Sequence, residues 1–249
     1  MKAFLSLLFA VTAMAVVLAS GSSACAEGVV MPPTITGCVP SADNAEFVIN
    51  EALDKFECNG RKYRLKNKVC QDICDGGSNL IGTLEINAFE FDPDPTVFHS
   101  YTITNTTGTT QTYSLLSNLP TAFAAPNIMS GSVTVQVIDS GQDGATLAAV
   151  SGGAIYSAMI DGATVYTMLD DPFTLTAPSA GVDNALDSFS NEPGMAITTS
   201  MGIGLNFTLS AGDTASFLSR FDVVAVPEPS SIALVLSALV GGLLLLRRR

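Results

Sequence analysis

The 249-residue chain has no tryptophan, one histidine, and only 11 Lys and Arg against 23 Asp and Glu. Without tryptophan it lacks the largest flat platform for a sugar ring. With His99 alone, any Ser-His-Asp hydrolase would depend on that residue. Residues 69–219 contain no Lys or Arg but 15 acidic residues, and 27–226 carry a net charge of −15. Nucleic acid is thereby excluded as a partner, because phosphates require a dense basic surface. No Gly-x-Ser-x-Gly elbow and no metalloprotease motif occurs. Gly202-Ile203-Gly204 lies in an apparent strand with no helix after it, so it is not a phosphate loop.

Long apolar runs are present only at the two ends. Met1-Lys2 precedes the 17-residue run Ala3–Ala19, and a small polar stretch ends in Ala24-Cys25-Ala26. This is the order of a secretory signal peptide, with cleavage by signal peptidase after Ala26. An uncleaved anchor, or a lipid on Cys25, is the rival reading; Ser22 stands where a lipidation site wants an apolar residue.

The other end reads Pro227-Glu228-Pro229, then the 15-residue apolar run Ile232–Leu246, then Arg247-Arg248-Arg249. As a helix the run spans roughly 22 Å, against about 30 Å for a hydrocarbon core. Snorkelling arginines and local thinning make up the difference. The positive-inside rule keeps both cationic ends cytoplasmic and places the acidic middle outside. The two prolines hold the tripeptide extended and open to a processing enzyme.

These three features together resemble the PEP-CTERM sorting signal of Gram-negative bacteria, over about 23 residues of the chain. The resemblance implies recognition by exosortase, a membrane-embedded cysteine transpeptidase, and a place among proteins associated with exopolysaccharide and biofilm. The family shares this tail and not the body, so it implies no activity for residues 27–226.

Four cysteines remain after cleavage: Cys38, Cys58, Cys70 and Cys74. An even number in an exported chain reads as two disulfides with three possible connectivities. Zinc is the rival, without a histidine or second close pair to complete it. Ala45, Val48, Ile49, Ala52, Leu53 and Phe56 follow helical spacing, with Asp43 and Glu46 as a capping box and Asn59-Gly60 as the stop. Residues 27–79 therefore read as a disulfide-stapled helical segment.

From Leu80 the period changes to two. Val97, His99, Tyr101 and Ile103 alternate with polar residues, as do Gln111, Tyr113 and Leu115 beyond Asn105-Thr106-Thr107-Gly108, which suggests a hairpin. Val133, Val135 and Val137 mark another strand. Ile155–Ile160 and Thr164–Leu169 flank the turn signal Asp161-Gly162. Ile197–Leu209 and Ala215–Val226 complete eight to ten strands, with Ala177–Pro193 as the longest irregular loop. The fold expected for 80–226 is an antiparallel β-sandwich, with 227–249 as the sorting tail.

Candidate chemistry is sparse. Asp92-Pro93-Asp94, Asp170-Asp171 and above all Asp139 with Asp143 could offer oxygen ligands to Ca²⁺, although Gly141 and Val150 depart from an EF-hand loop. His99 reads as a hydrogen-bonded core residue. Six of the body's seven basic residues lie in Lys55–Lys68, as a patch for acidic polysaccharide or as a solvated offset to the acidic remainder. Asn105-Thr106-Thr107 and Asn206-Phe207-Thr208 match the glycosylation pattern by chance. The expectation is a non-enzymatic, structural or adhesive surface protein in contact with matrix polysaccharide. A calcium-dependent carbohydrate-binding module using Tyr101, Tyr113, Tyr156 or Tyr166 is the alternative, and a secreted hydrolase the third reading.

Overall fold

A computed structural model describes residues 34–226, except 41–44, 50–55, 60–61, 76–77, 93–94 and 125–126. The expected signal peptide and the sorting tail, with Pro227, Glu228, Pro229 and Arg247–Arg249, lie outside the described residues. Among the described residues there is no helix. The strands are β1 (Thr34–Val39), β2 (Ala45–Ile49), β3 (Phe56–Asn59), β4 (Lys62–Leu65), β5 (Val69–Cys74), β6 (Leu80–Asp92), β7 (Thr96–Asn105) and β8 (Gln111–Pro120). They continue as β9 (Asn127–Ile138), β10 (Ala145–Ala149), β11 (Ala154–Ile160), β12 (Ala163–Asp170), β13 (Thr174–Ala177), β14 (Val182–Gly194), β15 (Ser200–Leu209) and β16 (Thr214–Ala225).

They form two antiparallel sheets. The first runs β12-β11-β15-β8-β1-β2, with β10 beside β15 and β13 beside β10. The second runs β14-β9-β16-β7-β6-β4-β3, with β5 on β6. Period-two alternation explains the stacking: β7, β8 and β9 each bury every second side chain, and those inner faces meet in one apolar core drawn from both sheets. Each large side chain so buried contributes about 1.5–3 kcal/mol.

Three buried tyrosines bridge the layers. Tyr113 of β8 donates to the Ile81 carbonyl of β6 at 3.2 Å, and Tyr156 of β11 to the Arg220 carbonyl of β16 at 2.9 Å. Tyr101 Oη of β7 lies 2.7 Å from Ser117 Oγ of β8. Two of these hydroxyls land against glycine. A Cβ on Gly82 would sit 3.0 Å from Tyr113 Oη, and one on Gly131 3.0 Å from Tyr156 Oη and 2.4 Å from the Phe189 ring.

Four expectations are corrected. The helix expected over 45–56 is replaced at both described ends by strands, with 50–55 outside the described residues: Ala45–Ile49 is β2, paired with β1 with Ala45 opposite Val39 and Ile49 opposite Ile35. Ala45, Phe47 and Ile49 also alternate, and an aromatic and β-branched run suits a strand once a partner edge is present. Phe56 opens β3, so the described part of the segment before residue 80 supplies strands to both sheets.

The disulfide staple is not formed either, for Cys38, Cys70 and Cys74 are free thiols, and Cys58 lies on β3. Cys70 and Cys74 sit four residues apart along β5, about 13 Å. A disulfide spans at most about 7 Å between Cα atoms. Backbone pairing holds the segment instead.

β7 and β8 are not a hairpin: they belong to opposite sheets. Asn105 holds the crossing, its amide donating to the carbonyls of Thr109, Leu209 and Ser210. It is buried, which also removes it as a glycan acceptor. Finally, most of the expected loop 177–193 is β14, an edge strand paired with β9 alone.

That edge is guarded. Asp183 and Asp187 are half-buried, and each accepts the N–H of the next residue, Asn184 and Ser188, at 2.9 and 2.8 Å. Inward charge on an edge strand discourages pairing with another chain. Replacing both with valine is expected to produce concentration-dependent self-association in size-exclusion chromatography with light scattering, absent in the parent protein.

Candidate functional site

His99 is fully buried on β7, with Nδ1 2.9 Å from Ser117 Oγ and its ring stacked on Tyr101 at 4.2 Å. Its Nε2 and the buried Ser219 Oγ opposite it on β16 have no protein partner among the described residues. A serine and a histidine thus meet, but between two sheets where no substrate reaches. Burial pushes the imidazole down to about 3.

Three carboxylates from two separate loops meet at one end of the second sheet, where Ile138 pairs with Thr214. Oxygens of Asp139, Asp143 and Asp213 converge within 4.8 Å of one another. The sequence singled out the first two; Asp213 lies seventy residues further along the chain. Asp139 accepts the N–H of Gln142 at 2.8 Å and of Ala180 at 2.5 Å. Asp213 accepts the N–H of Ser140 at 3.3 Å and the Ser210 hydroxyl. Although desolvation opposes it, this set of backbone donors draws the Asp139 carboxyl below its ordinary value. The oxygens of Asp139 and Asp213 are thus engaged in tying loops 139–144, 178–181 and 210–213 together. Asp171 likewise accepts the Gly152 N–H, and Asp170 ends β12 in solvent.

A second carboxylate clamp stands at the Asp161-Gly162 turn. Asp161 and Gly162 both adopt positive φ, the signature of the expected tight hairpin between β11 and β12. The Asp161 carboxylate then accepts three backbone N–H groups, of Thr198, Thr199 and Ser200, and two threonine hydroxyls. Those donors hold it well below the usual carboxylate range.

The remaining site is a shallow depression of about 230 Å³ on the outer face of the second sheet, lined by Glu90, Asp92, Thr96, Phe98 and Arg220. Register builds it. Arg64, Glu90, Phe98, Arg220 and Ser132 form one cross-strand row over β4, β6, β7, β16 and β9. Asp92, Thr96, Asp222 and Ser130 form the next. Arg64 Nη2 and Glu90 are 2.8 Å apart. Arg220 makes a forked pair with Asp222 through Nε at 2.5 Å and Nη2 at 2.9 Å, and Thr96 donates to Asp222 at 2.6 Å. Beneath, Tyr156 holds the Arg220 carbonyl.

Of the expected sugar platforms, Tyr101, Tyr113 and Tyr156 are buried, and half-buried Tyr166 stacks on Phe189 at 3.9 Å. Phe98 is the outward aromatic instead. Within the basic stretch, Arg64 pairs with Glu90, and Lys68 with Glu85 at 2.5 Å; Lys55 and Arg61 lie outside the described residues.

No known family matches this chain, and no curated protein does. Among solved structures it is similar to the xylan-binding CBM22-1 domain of Xyn10C from Paenibacillus barcinonensis, at 12% identity and a TM-score of 0.29, covering 65% of this chain and 88% of that one. TmCBM61, solved with β-1,4-galactotriose, matches at 9% identity and a TM-score of 0.27 over 51% and 71% of the two chains. The C-terminal CBM6 of LamC from Zobellia galactanivorans matches at 12% and 0.23, over 63% and 99%.

A neutral His99 in the folded state and an ordinary one in the unfolded state means the unfolded chain binds the extra proton between about pH 3 and 6.5. Stability therefore falls as pH drops through that window, by about 1.4 kcal/mol per unit. Asp161 and Asp139 act in the same direction only below about pH 4. In urea titrations, stability between pH 6.5 and 4.5 is expected to slope downward for the parent protein and to be flat for His99→Gln.

Proposed function

We propose that this is an exported surface or matrix protein whose β-sandwich binds polysaccharide on the outer face of its second sheet. The observation that carries the binding half is the depression itself. An outward Phe98 ring offers an apolar face, and planar, ion-paired Arg220 and Asp222 beside Glu90 and Thr96 supply fixed donors and acceptors. An apolar surface with a few oriented polar groups is the pattern that sugar hydroxyls and C–H faces require. The only histidine is sealed in the core, so a reaction dependent on it receives no support.

The export half rests on the two ends of the sequence. The signal peptide places the acidic body across the membrane, and the tail presents Pro227-Glu228-Pro229 to an exosortase-like enzyme with the three arginines held inside. The protein is then anchored only transiently, and its destination is the cell surface or the surrounding matrix.

Each half has its own test. Glu228→Ala is expected to leave a membrane-bound precursor in cell fractionation, whereas the parent protein is released; normal release of the variant refutes recognition of the tripeptide. Purified protein is expected to co-sediment with insoluble polysaccharide, and Phe98→Ala to reduce binding about tenfold, a loss near 1.4 kcal/mol, with an unchanged unfolding midpoint.

A further inference from the structure

We propose that the glycan held on this face is uncharged and that its recognition does not involve calcium, an inference that rests on the polysaccharide-binding reading above. Around the depression stand three carboxylates, of Glu90, Asp92 and Asp222, and two guanidinium groups, of Arg64 and Arg220. Each guanidinium is already paired to a carboxylate. Among the described side chains around the depression no net positive charge remains for a polyanion, and residues 27–226 as a whole carry −15. A uronic-acid or sulfated polymer repeats an anionic charge along its length, and would meet repulsion at each ring. A neutral sugar meets none of it.

What the pairs do supply is orientation. Arg220 spends Nε and one Nη2 proton on Asp222, and its Nη1 donors stay in the plane that this fork fixes. A guanidinium edge beside carboxylate oxygens matches adjacent sugar hydroxyls, which donate and accept at once. The face continues beyond the depression. Leu218, two residues from Arg220 on the same side of β16, is 46% exposed, and Leu186 of β14, 71% exposed, stands in its row across Thr134. Apolar side chains flanked by Ser132, Thr134 and Ser188 extend a surface for C–H faces and hydroxyls past the single ring that about 230 Å³ accommodates. The occupant is therefore a chain laid across β7, β16, β9 and β14.

Calcium held by Asp139, Asp143 and Asp213 would have no path to this ligand. The acidic cluster lies where Ile138 pairs with Thr214, whereas the depression lies where Ser130 pairs with Asp222. Eight residues of strand separate them, about 26 Å. At physiological salt, charges that far apart are screened over a length of about 8 Å.

The experiment is affinity electrophoresis of the full mature protein in gels containing xylan or dextran as uncharged probes and alginate or hyaluronan as anionic ones. Each gel is run with and without EDTA, on the parent protein, Phe98→Ala, Arg220→Gln and Asp143→Ala. Expected are retardation by an uncharged polymer that EDTA leaves unchanged, loss of about tenfold or more for Phe98→Ala and Arg220→Gln, and none for Asp143→Ala. Thermal melts confirm that the variants are folded. Binding confined to the anionic polymers, or abolished by EDTA or by Asp143→Ala, overturns this inference while leaving polysaccharide binding intact. Retardation by none of the four overturns both. Retardation unaffected by the Phe98 and Arg220 variants moves binding off this face and overturns the inference.

Discussion

The arrangement of the two sheets depends on hydroxyl groups that cannot be buried alone. A tyrosine brought into an apolar core leaves a polar oxygen that costs about 1–3 kcal/mol unless it is hydrogen-bonded. Tyr113 and Tyr156 solve this by reaching backbone carbonyls of the opposite sheet, and Tyr101 by reaching Ser117. Each such bond is possible at one offset of the layers only. Apolar packing alone tolerates sliding; these contacts do not. Gly82 and Gly131 belong to the same constraint, since the backbone must come close where Tyr113 and Tyr156 arrive.

The same contact reaches outward to the candidate site. Tyr156 holds the carbonyl of Arg220 from the core side, while the Arg220 side chain projects from the opposite face of β16 into its fork with Asp222. A group bonded on both faces of the sheet is fixed before any ligand arrives. Preorganised donors lose less entropy on binding than free ones. The placement of Phe98 between Glu90 and Arg220 follows from register, not from sequence proximity, since Phe98 and Arg220 lie over a hundred residues apart.

Acidic residues do different work at the sandwich ends. Buried Asp139 and Asp213 and exposed Asp161 accept backbone N–H groups of loops and of one strand end. In a chain almost devoid of cations between residues 69 and 219, the available partners for a buried carboxylate are backbone amides. That explains how so acidic a body folds with few ion pairs. Three of its seven cations, Arg64, Lys68 and Arg220, are paired along the second sheet with Glu90, Glu85 and Asp222.

Much of this was readable from the chain by itself. Alternation in Val97–Ile103 and Val133–Val137 determined strands and their buried faces, because side chains on a strand point alternately to either side. Asp161-Gly162 determined its tight turn, because both residues tolerate positive φ. The single histidine on an apolar alternation was read correctly as a core residue. What the period could not contain was partnership. The residues Ala45–Ile49 satisfy helical and strand spacing alike, and only the free edge of β1 selected the strand. Nothing in β7 or β8 says that the chain crosses between sheets at Asn105, nor that Asp213 joins Asp139, nor that Arg220 lands beside Phe98. Those are contacts between segments remote in sequence. Local chemistry determined which way each residue faces; the pairing of distant strands decided what it faces.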